Sequence, residues 1–96
     1  MNPAPSQFMY YVYVLKSDKH KWSYVGSASN LLKRIAQHDA GESCTTKKYL
    51  PIKLVYCEAY ASKLDAEIRE KRLKNHGNAL GLLKKRIQNS MKEGAG

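Results

Sequence analysis

The aromatic and β-branched run from Phe8 to Leu15, "FMYYVYVL", most constrains how this chain can fold. Tyr, Val and Phe favour strands, so the run predicts a first β-strand. The polar interval "KSDKHK" separates it from a second short strand, "WSYVGS", which we expect Gly26 to end. Adjacent strands joined by a short polar loop favour an antiparallel hairpin.

A helix and a third strand are predicted next. Ser29 or Asn30 can cap the helix, which should end near residues 39–41. Its apolar residues recur at helical spacing: Leu31, Leu32, Ile35 and Ala36. The segment "IKLVYCEAY" predicts the strand, with Pro51 at its entrance because proline cannot donate to a central ladder.

Two further helices complete the pattern. Ser62 and Asp65 resemble a capping box at the start of one, and Gly77 is expected to end it. Asn78 begins the other, which runs to Met91. The order β-β-α-β-α-α predicts an α+β fold, a small antiparallel three-stranded sheet flanked by helices.

The chain has 96 residues, which suffices for one domain. We place that domain at residues 8–91, between a flexible lead at 1–7 and a flexible tail at 92–96. Seventeen Lys and Arg against eight Asp and Glu give a formal charge of +9, which favours a polyanionic partner, most often nucleic acid. A merely solvated basic surface is the alternative, and a membrane surface fits less well without a long basic amphipathic helix.

The two cysteines, Cys44 and Cys57, show neither zinc-site spacing nor a disulfide framework. They are typical of reduced thiols in a cytosolic protein. The N-terminal segment lacks the charged leader and cleavage site of a signal peptide, and no stretch reaches the length of a membrane span. We therefore expect a cytoplasmic protein without a membrane partner.

Polar side chains at the edge of predicted apolar stripes are the candidates for chemistry. Arg34 and His38 lie four residues apart, on one side of the first helix. Glu70 falls within the apolar stripe of the second helix, where a carboxylate needs an ion pair or a metal. Glu67, one turn earlier, is a competing candidate. Taken singly, each of these residues is more typical of a solvated or paired surface charge.

The joint arrangement is more specific. "YVY" at 11–13, "YVG" at 24–26, then Arg34, His38 and Glu70 in that order resemble the GIY-YIG nuclease superfamily. The resemblance spans about residues 10 to 74 and is nearest to the short stand-alone bacterial members, similar to the nuclease domain of the excinuclease C subunit. It implies that Tyr13 and Tyr24 are the two motif tyrosines.

The resemblance also assigns the remaining site residues. Arg34 matches the helix arginine and His38 the histidine one turn later, while Glu70 matches the acidic residue that binds one divalent ion. Gly26 matches the closing glycine, expected to let the strand turn out beside the site. Tyr11 replaces the glycine of the first motif. A late asparagine used by some members stays open, the choices being Asn75, Asn78 and Asn89.

The implied activity is divalent-metal-dependent hydrolysis of DNA phosphodiester bonds. One Mg²⁺ or Mn²⁺ on Glu70 would act as Lewis acid, and Arg34 would clamp a phosphate oxygen. We expect Tyr13 to be the general base, with a pKa lowered by a cationic cleft that holds Arg34 and the metal ion, and Tyr24 to position phosphate or water. The reverse assignment of the tyrosines stays open, and His38 would assist as relay or donor.

Basic residues would hold the nucleic-acid backbone away from the chemistry. The set is Lys33, Lys47, Lys48, Arg69 and Lys74, with "KKR" at 84–86. Without a second recognition domain, we expect structure-selective or weakly specific cleavage of the DNA repair type, RNA being an alternative substrate. The competing functions are a nucleic-acid-binding module that cuts little or not at all, and a basic protein-interaction domain. A targeting partner is not identified by the sequence.

Overall fold

Strand β1, Tyr10–Ser17, is the central strand of the fold in the computed structural model, which describes residues 8–75 and 77–94. It pairs antiparallel with β2, Ser23–Ala28, on one side and with β3, Ile52–Tyr60, on the other. The three strands form one sheet in the order β2-β1-β3. The predicted α+β fold with a three-stranded antiparallel sheet is therefore confirmed.

Within residues 8–75 and 77–94, four α-helices and a short 3-10 helix surround the sheet. The α-helices are α1 (Leu31–Asp39), α2 (Lys63–Lys74), α3 (Ala79–Arg86) and α4 (Gln88–Gly94), and the 3-10 helix is Lys47–Tyr49. The side chain of Asn30 caps α1 by accepting from the backbone N–H of Lys33, and Ser62 caps α2. In the described residues, no helix is both long and apolar enough to cross a membrane.

The side chains of β1 alternate between two cores on opposite faces of the sheet. Val12 and Val14 pack with residues of α2 and α3, including Ala66, Leu73 and Leu83. Tyr13 and Leu15 lie on the other face, together with Ile52 of β3 and the apolar residues Leu31 and Ile35 of α1. The phenol of Tyr13 is thus placed on the α1 face.

The strand bounds differ from the sequence prediction in two places. β1 begins at Tyr10 rather than Phe8 because its pairing partner there, Tyr60, is the last residue of β3. It continues to Ser17, which pairs with Ile52. Strand β2 runs through Gly26 to Ala28, so the prediction that Gly26 ends the strand is wrong.

The helix bounds also differ. α2 ends at Lys74, before Gly77, because Asn75 takes an extended conformation with φ −69° and ψ 158°. The predicted third helix is two helices, broken at Ile87, whose φ of −108° and ψ of 28° leave the helical region. Ile87 packs against the core and α4 contacts β3, so the break turns the chain back onto the sheet.

The proposed boundaries of the domain remain predictions. The lead at 1–7 and residues 95–96 lie outside the described residues, as does His76. Residues 92–94, which the sequence assigns to a tail, belong to α4.

Candidate active site

The two motif tyrosines are diagonal neighbours on the α1 face of the sheet. Tyr13 pairs with Gly26 across the β1–β2 ladder, and Tyr24 pairs with Leu15. Because alternate residues share a face, Tyr13 and Tyr24 point to the same side. Their ring centroids are 6.3 Å apart. This register, which the sequence left open, brings the two phenols together.

Gly26 provides space for the Tyr13 ring. A β-carbon built at residue 26 would lie 2.5 Å from the Tyr13 hydroxyl oxygen and 2.8 Å from Cε2 of Tyr24. Both distances are far below van der Waals contact. The expected role of Gly26, to let the strand turn outward, is therefore wrong: the strand continues, and glycine is needed for the close approach of a phenol.

His38 is fully buried and joins the tyrosines to a third element. Its Nε2 lies 2.9 Å from the hydroxyl oxygen of Tyr13, and its Nδ1 lies 2.8 Å from Oγ1 of Thr46. The ring also meets Tyr24 edge-on, with centroids 5.3 Å apart. Thr46 lies in a polar loop whose spacing carries no signal for this contact, so sequence reasoning missed it.

Burial controls the protonation of this hydrogen-bonded pair. It raises the pKa of the Tyr13 phenol, and the nearby Arg34 guanidinium only partly opposes that effect. Arg34 by itself does not bring this pKa below its ordinary value, because loss of solvent outweighs the cation. The expected lowering by a cleft that holds both Arg34 and a metal ion stays a prediction. Burial, with Arg34 as a second cause, lowers the pKa of His38. The imidazole is therefore neutral at pH 7.

Arg34 is half-buried on α1 beside the two phenols. The nearby Tyr13 hydroxyl is the main cause that raises the pKa of Arg34. The negative charge of either phenol, when ionised, raises it further. Nη1 of Arg34 donates a hydrogen bond to Oε1 of Gln37, at 3.2 Å. The cation is thus held at the rim of the tyrosine pair.

Glu70 approaches from the opposite face of the sheet, over the edge strand β2. Ser27 Oγ donates to Oε1 of Glu70 at 2.7 Å, and Nζ of Lys74 lies 2.8 Å from Oε2. Burial acts to raise the pKa of this carboxyl, but bonds from Lys74 and Ser27 outweigh it and leave the pKa lowered. Glu70 is thus an ionised, half-buried carboxylate, whereas Glu67 is exposed.

Lys74 connects the Glu70 carboxylate with the tyrosines. Its Nζ lies 5.7 Å from the centroid of the Tyr24 ring, a distance typical of a cation–π contact. The charge of Glu70 is close enough to add to the raised pKa of Tyr13. Five sequence-predicted residues therefore lie along β2, between Tyr24 and Ser27: Tyr13, Tyr24, Arg34, His38 and Glu70.

The predicted nucleic-acid contacts are divided between the two faces. Lys33 on α1, with Lys47 and Lys48 on the 3-10 helix, is exposed on elements that cover the tyrosine face. Arg69 instead donates from Nε and Nη2 to the two carboxylate oxygens of Glu58, at 2.9 and 3.2 Å. Glu58 pairs with Val12 and shares its face, so Arg69 lies across the sheet from Tyr13.

A carboxylate network ties β3 to α2. Besides Arg69, Glu58 accepts hydrogen bonds from the hydroxyls of Tyr56, at 2.5 Å, and Tyr60. Burial first, and then this bond, raises the pKa of Tyr60 to about 12. Sequence reasoning missed the network, although spacing by two along β3 places Tyr56, Glu58 and Tyr60 on one face.

Few side chains at the candidate site could act as ligands for a metal ion. In the residues that the structure describes, no three His, Cys, Asp or Glu side chains lie close enough to share an ion. Mg²⁺ commonly binds proteins through one or two carboxylates and completes its shell with water and phosphate oxygens. A single ionised carboxylate such as Glu70 fits that requirement.

Comparison with known proteins identifies the family of this chain. Residues 9–88 match the family model described as "GIY-YIG catalytic domain". A UPF0213 protein of Natronomonas pharaonis is 39% identical over 71 residues, covering 73% of this chain and 82% of that protein. One from Staphylococcus haemolyticus is 41% identical over 66 residues, covering 68% and 79%. No solved structure matches the chain. The chain belongs to the GIY-YIG family.

Proposed function

We propose that this protein is a divalent-metal-dependent endonuclease that hydrolyses phosphodiester bonds of DNA. The observation that carries the proposal is the convergence of two phenols, a neutral buried imidazole and a guanidinium on one face, with an ionised carboxylate at its edge. Phosphodiester hydrolysis needs a base for water, a cation for the phosphate and charge neutralisation at the leaving group.

Tyr13 with His38 can supply the base. Because the imidazole is neutral, its Nε2 can accept the phenolic proton of Tyr13 while the phenol oxygen takes a proton from water. The water oxygen then bonds to phosphorus, and the bond from phosphorus to the 3′-oxygen breaks. In that tautomer, Nδ1–H of His38 donates to Thr46, which holds the ring in place.

The exposure of the two tyrosines favours a second assignment. The side chain of Tyr13 is 0% exposed, whereas Tyr24 is only half-buried. Water reaches Tyr24 directly, which would make Tyr24 the base and Tyr13 the group that positions it through His38. Tyr13→Phe and Tyr24→Phe separate the two cases, because the variant that lacks the base loses the larger share of kcat at saturating DNA.

Arg34 and Glu70 would act on the phosphate from two sides. The Arg34 guanidinium can donate two charge-assisted hydrogen bonds to non-bridging oxygens and stabilise the charge that develops on them. Glu70 would hold the divalent ion, which when bound supplies Lewis acidity to the phosphate and the leaving oxygen. Ser27 orients this carboxylate through its 2.7 Å hydrogen bond.

The substrate surface is basic. Lys33, Lys47, Lys48 and Lys74 are exposed around the site and would contact the backbone, giving affinity without sequence preference. We leave Arg69 out of this surface because it lies across the sheet from Tyr13, where Glu58 binds its guanidinium. A structure-selective role of the DNA repair type in the cytoplasm is consistent with this surface and with two free cysteines.

The test is nicking of single-stranded, nicked and branched DNA in Mg²⁺ or Mn²⁺. We expect Glu70→Gln and Arg34→Ala each to lower kcat/KM by about 10²–10³-fold, the scale of losing one electrostatic contact to the transition state. Glu67→Gln, an exposed carboxamide on the same helix, is the comparison variant and should cleave like wild type. Equal activity in wild type, Glu70→Gln and Arg34→Ala would show that the site is assigned wrongly.

A binding module without catalysis is the second candidate, favoured by the raised pKa of Tyr13. Such a protein would bind DNA or RNA in a salt-dependent way with no turnover in any metal. Calorimetry separates the two functions, since a nuclease should bind Mn²⁺ in wild type and lose that binding in Glu70→Gln.

A further inference from the structure

A cleft of about 480 Å³ lies directly beside the candidate active site. Its walls are β2, the C-terminal end of α2, Asn75 and Gly77 after it, and one side of α3 from Leu80 to Lys84. Tyr24 and Lys74 belong to both the cleft and the site, so whatever fills the cleft touches the catalytic cluster. The volume is within the range of pockets that hold small organic molecules.

The lining of the cleft combines an apolar floor with a cationic rim. Val25 and Leu73 are buried side chains of the core, and Leu80 is half-buried beside them. Lys74 and Lys84 stand at the rim and bring two positive charges. A ligand that matches both parts has a flat apolar body and a phosphate.

An unpaired nucleotide has that chemistry, and a base-paired duplex does not present it. In a duplex the bases are stacked inside and the phosphates outside, so no base can reach a recessed floor. A nucleotide in a single strand or flap exposes its base, which stacks and packs on apolar or aromatic side chains. Its phosphate remains free to meet lysines.

We propose that this cleft binds one unpaired nucleotide next to the scissile phosphate, with its base against Leu80, the accessible side chain of a floor that Val25 and Leu73 support from below, and its phosphate between Lys74 and Lys84. The proposal rests on the proposed function and names its substrate class, which is nucleic acid with an unpaired nucleotide at the cut. Single strands and flaps are then the preferred substrates, ahead of continuous duplex.

Gly81 provides a direct way to close the cleft. It lies on α3 in the lining, and a β-carbon built there meets no atom within 4 Å. A larger side chain at 81 therefore has room at the cleft lining without displacing protein atoms, and α3 gains helix propensity. Gly81→Leu should fill the cleft, whereas Gly81→Ala makes the same backbone change and leaves most of it open.

The first experiment measures binding of deoxyadenosine monophosphate by calorimetry, without metal, to wild type and both variants. We expect Gly81→Leu to weaken the nucleotide by about tenfold or more, equivalent to about 1.4 kcal/mol, and Gly81→Ala to bind as wild type does. Lys84→Met should also weaken it. Inorganic phosphate binding as tightly as the nucleotide would overturn the proposal, because the floor would then contribute nothing.

The second experiment compares cleavage of a flap with cleavage of a nicked duplex. Gly81→Leu should reduce flap cleavage about tenfold and leave duplex nicking unchanged. Equal reduction of both, or of neither, contradicts the cleft assignment. If nucleotide binds as expected but no substrate is cut, the proposed nuclease function fails and the binding site stands. If both substrates are cut but the nucleotide does not bind, the site fails alone.

Discussion

The Tyr13 phenol occupies the space that any side chain at its cross-strand partner, Gly26, would need. The Tyr13 hydroxyl oxygen would be 2.5 Å from a β-carbon at residue 26, and its Cζ 2.6 Å. Tyr13 is also the largest of the fully buried side chains and is hydrogen-bonded to His38. The glycine of the second motif and the tyrosine of the first are thus one packing unit.

Gly26→Ala should therefore damage both stability and activity. Inserting a methyl group into a packed site costs about 1–3 kcal/mol, since the phenol must move. We expect urea unfolding to show that loss and nicking to fall in parallel as the Tyr13–His38 bond is disturbed. Gly81→Ala is the control, expected to gain about 0.5–1 kcal/mol from helix propensity. An unchanged Gly26→Ala protein would contradict the packing described here.

His38 should make stability depend on pH. Its pKa in the folded protein is lowered, while the unfolded chain has the ordinary value of about 6.5. Between these values the unfolded state binds more protons, so the free energy of unfolding should fall as pH drops below about 6.5. Urea unfolding at pH 7.5, 6.0 and 5.0 measures this slope. In His38→Gln, the free energy of unfolding should depend less on pH, because the titrating imidazole is gone. An identical slope in both proteins would refute the buried neutral imidazole.

Lys74→Met should raise the affinity of the protein for Mn²⁺. The ammonium lies 2.8 Å from the Glu70 carboxylate and would compete for its charge with a divalent ion bound there. Because Lys74 is exposed, its ion pair with Glu70 is weak. We therefore expect Mn²⁺ affinity to rise about fivefold, corresponding to about 1 kcal/mol. Calorimetry of the metal alone gives the readout.

Lys71→Met is the matched control for the metal measurement. It removes the same charge from an exposed position on the same helix. It should change Mn²⁺ affinity less than Lys74→Met. Equal gains in both variants would mean that only net charge matters and that Lys74 does not compete at the carboxylate.

Glu58→Gln should weaken the connection between β3 and α2. The change removes the charged acceptor of Arg69, Tyr56 and Tyr60, and we expect a loss of about 1–3 kcal/mol. Burial acts to raise the pKa of Glu58, but bonds from Arg69 and the two phenols outweigh it and leave the pKa lowered. Tyr60→Phe removes only one donor to this carboxylate, so it should lower the free energy of unfolding less than Glu58→Gln does.

The same network predicts a second pH effect, at more acidic values. A carboxyl with a lowered folded pKa stabilises the protein above its unfolded pKa of about 4.5, and that contribution is lost as pH falls through the folded pKa. Wild type should lose this stability in acid, and Glu58→Gln should not. Acid titration followed by circular dichroism checks both proteins, and equal acid sensitivity would exclude the network as a source.

The secondary-structure elements could be predicted because their signals are local. Alternation in "YVYVL" and the caps at Asn30 and Ser62 depend on neighbouring residues alone, and the structure confirms them. The break at Ile87 could not be predicted, because the helical periodicity continues through it. The break turns α4 onto β3, a contact between segments that are distant in the chain.

The sequence by itself determined the family, the element order, and which tyrosines, arginine, histidine and glutamate are the candidate site residues. Only the tertiary structure decided how they meet: the register that opposes Tyr13 to Gly26, the Thr46 contact of His38, and the burial that raises the pKa of Tyr13. The physical reason is that periodicity records which face a residue takes, whereas register, desolvation and hydrogen bonding depend on residues distant in the chain.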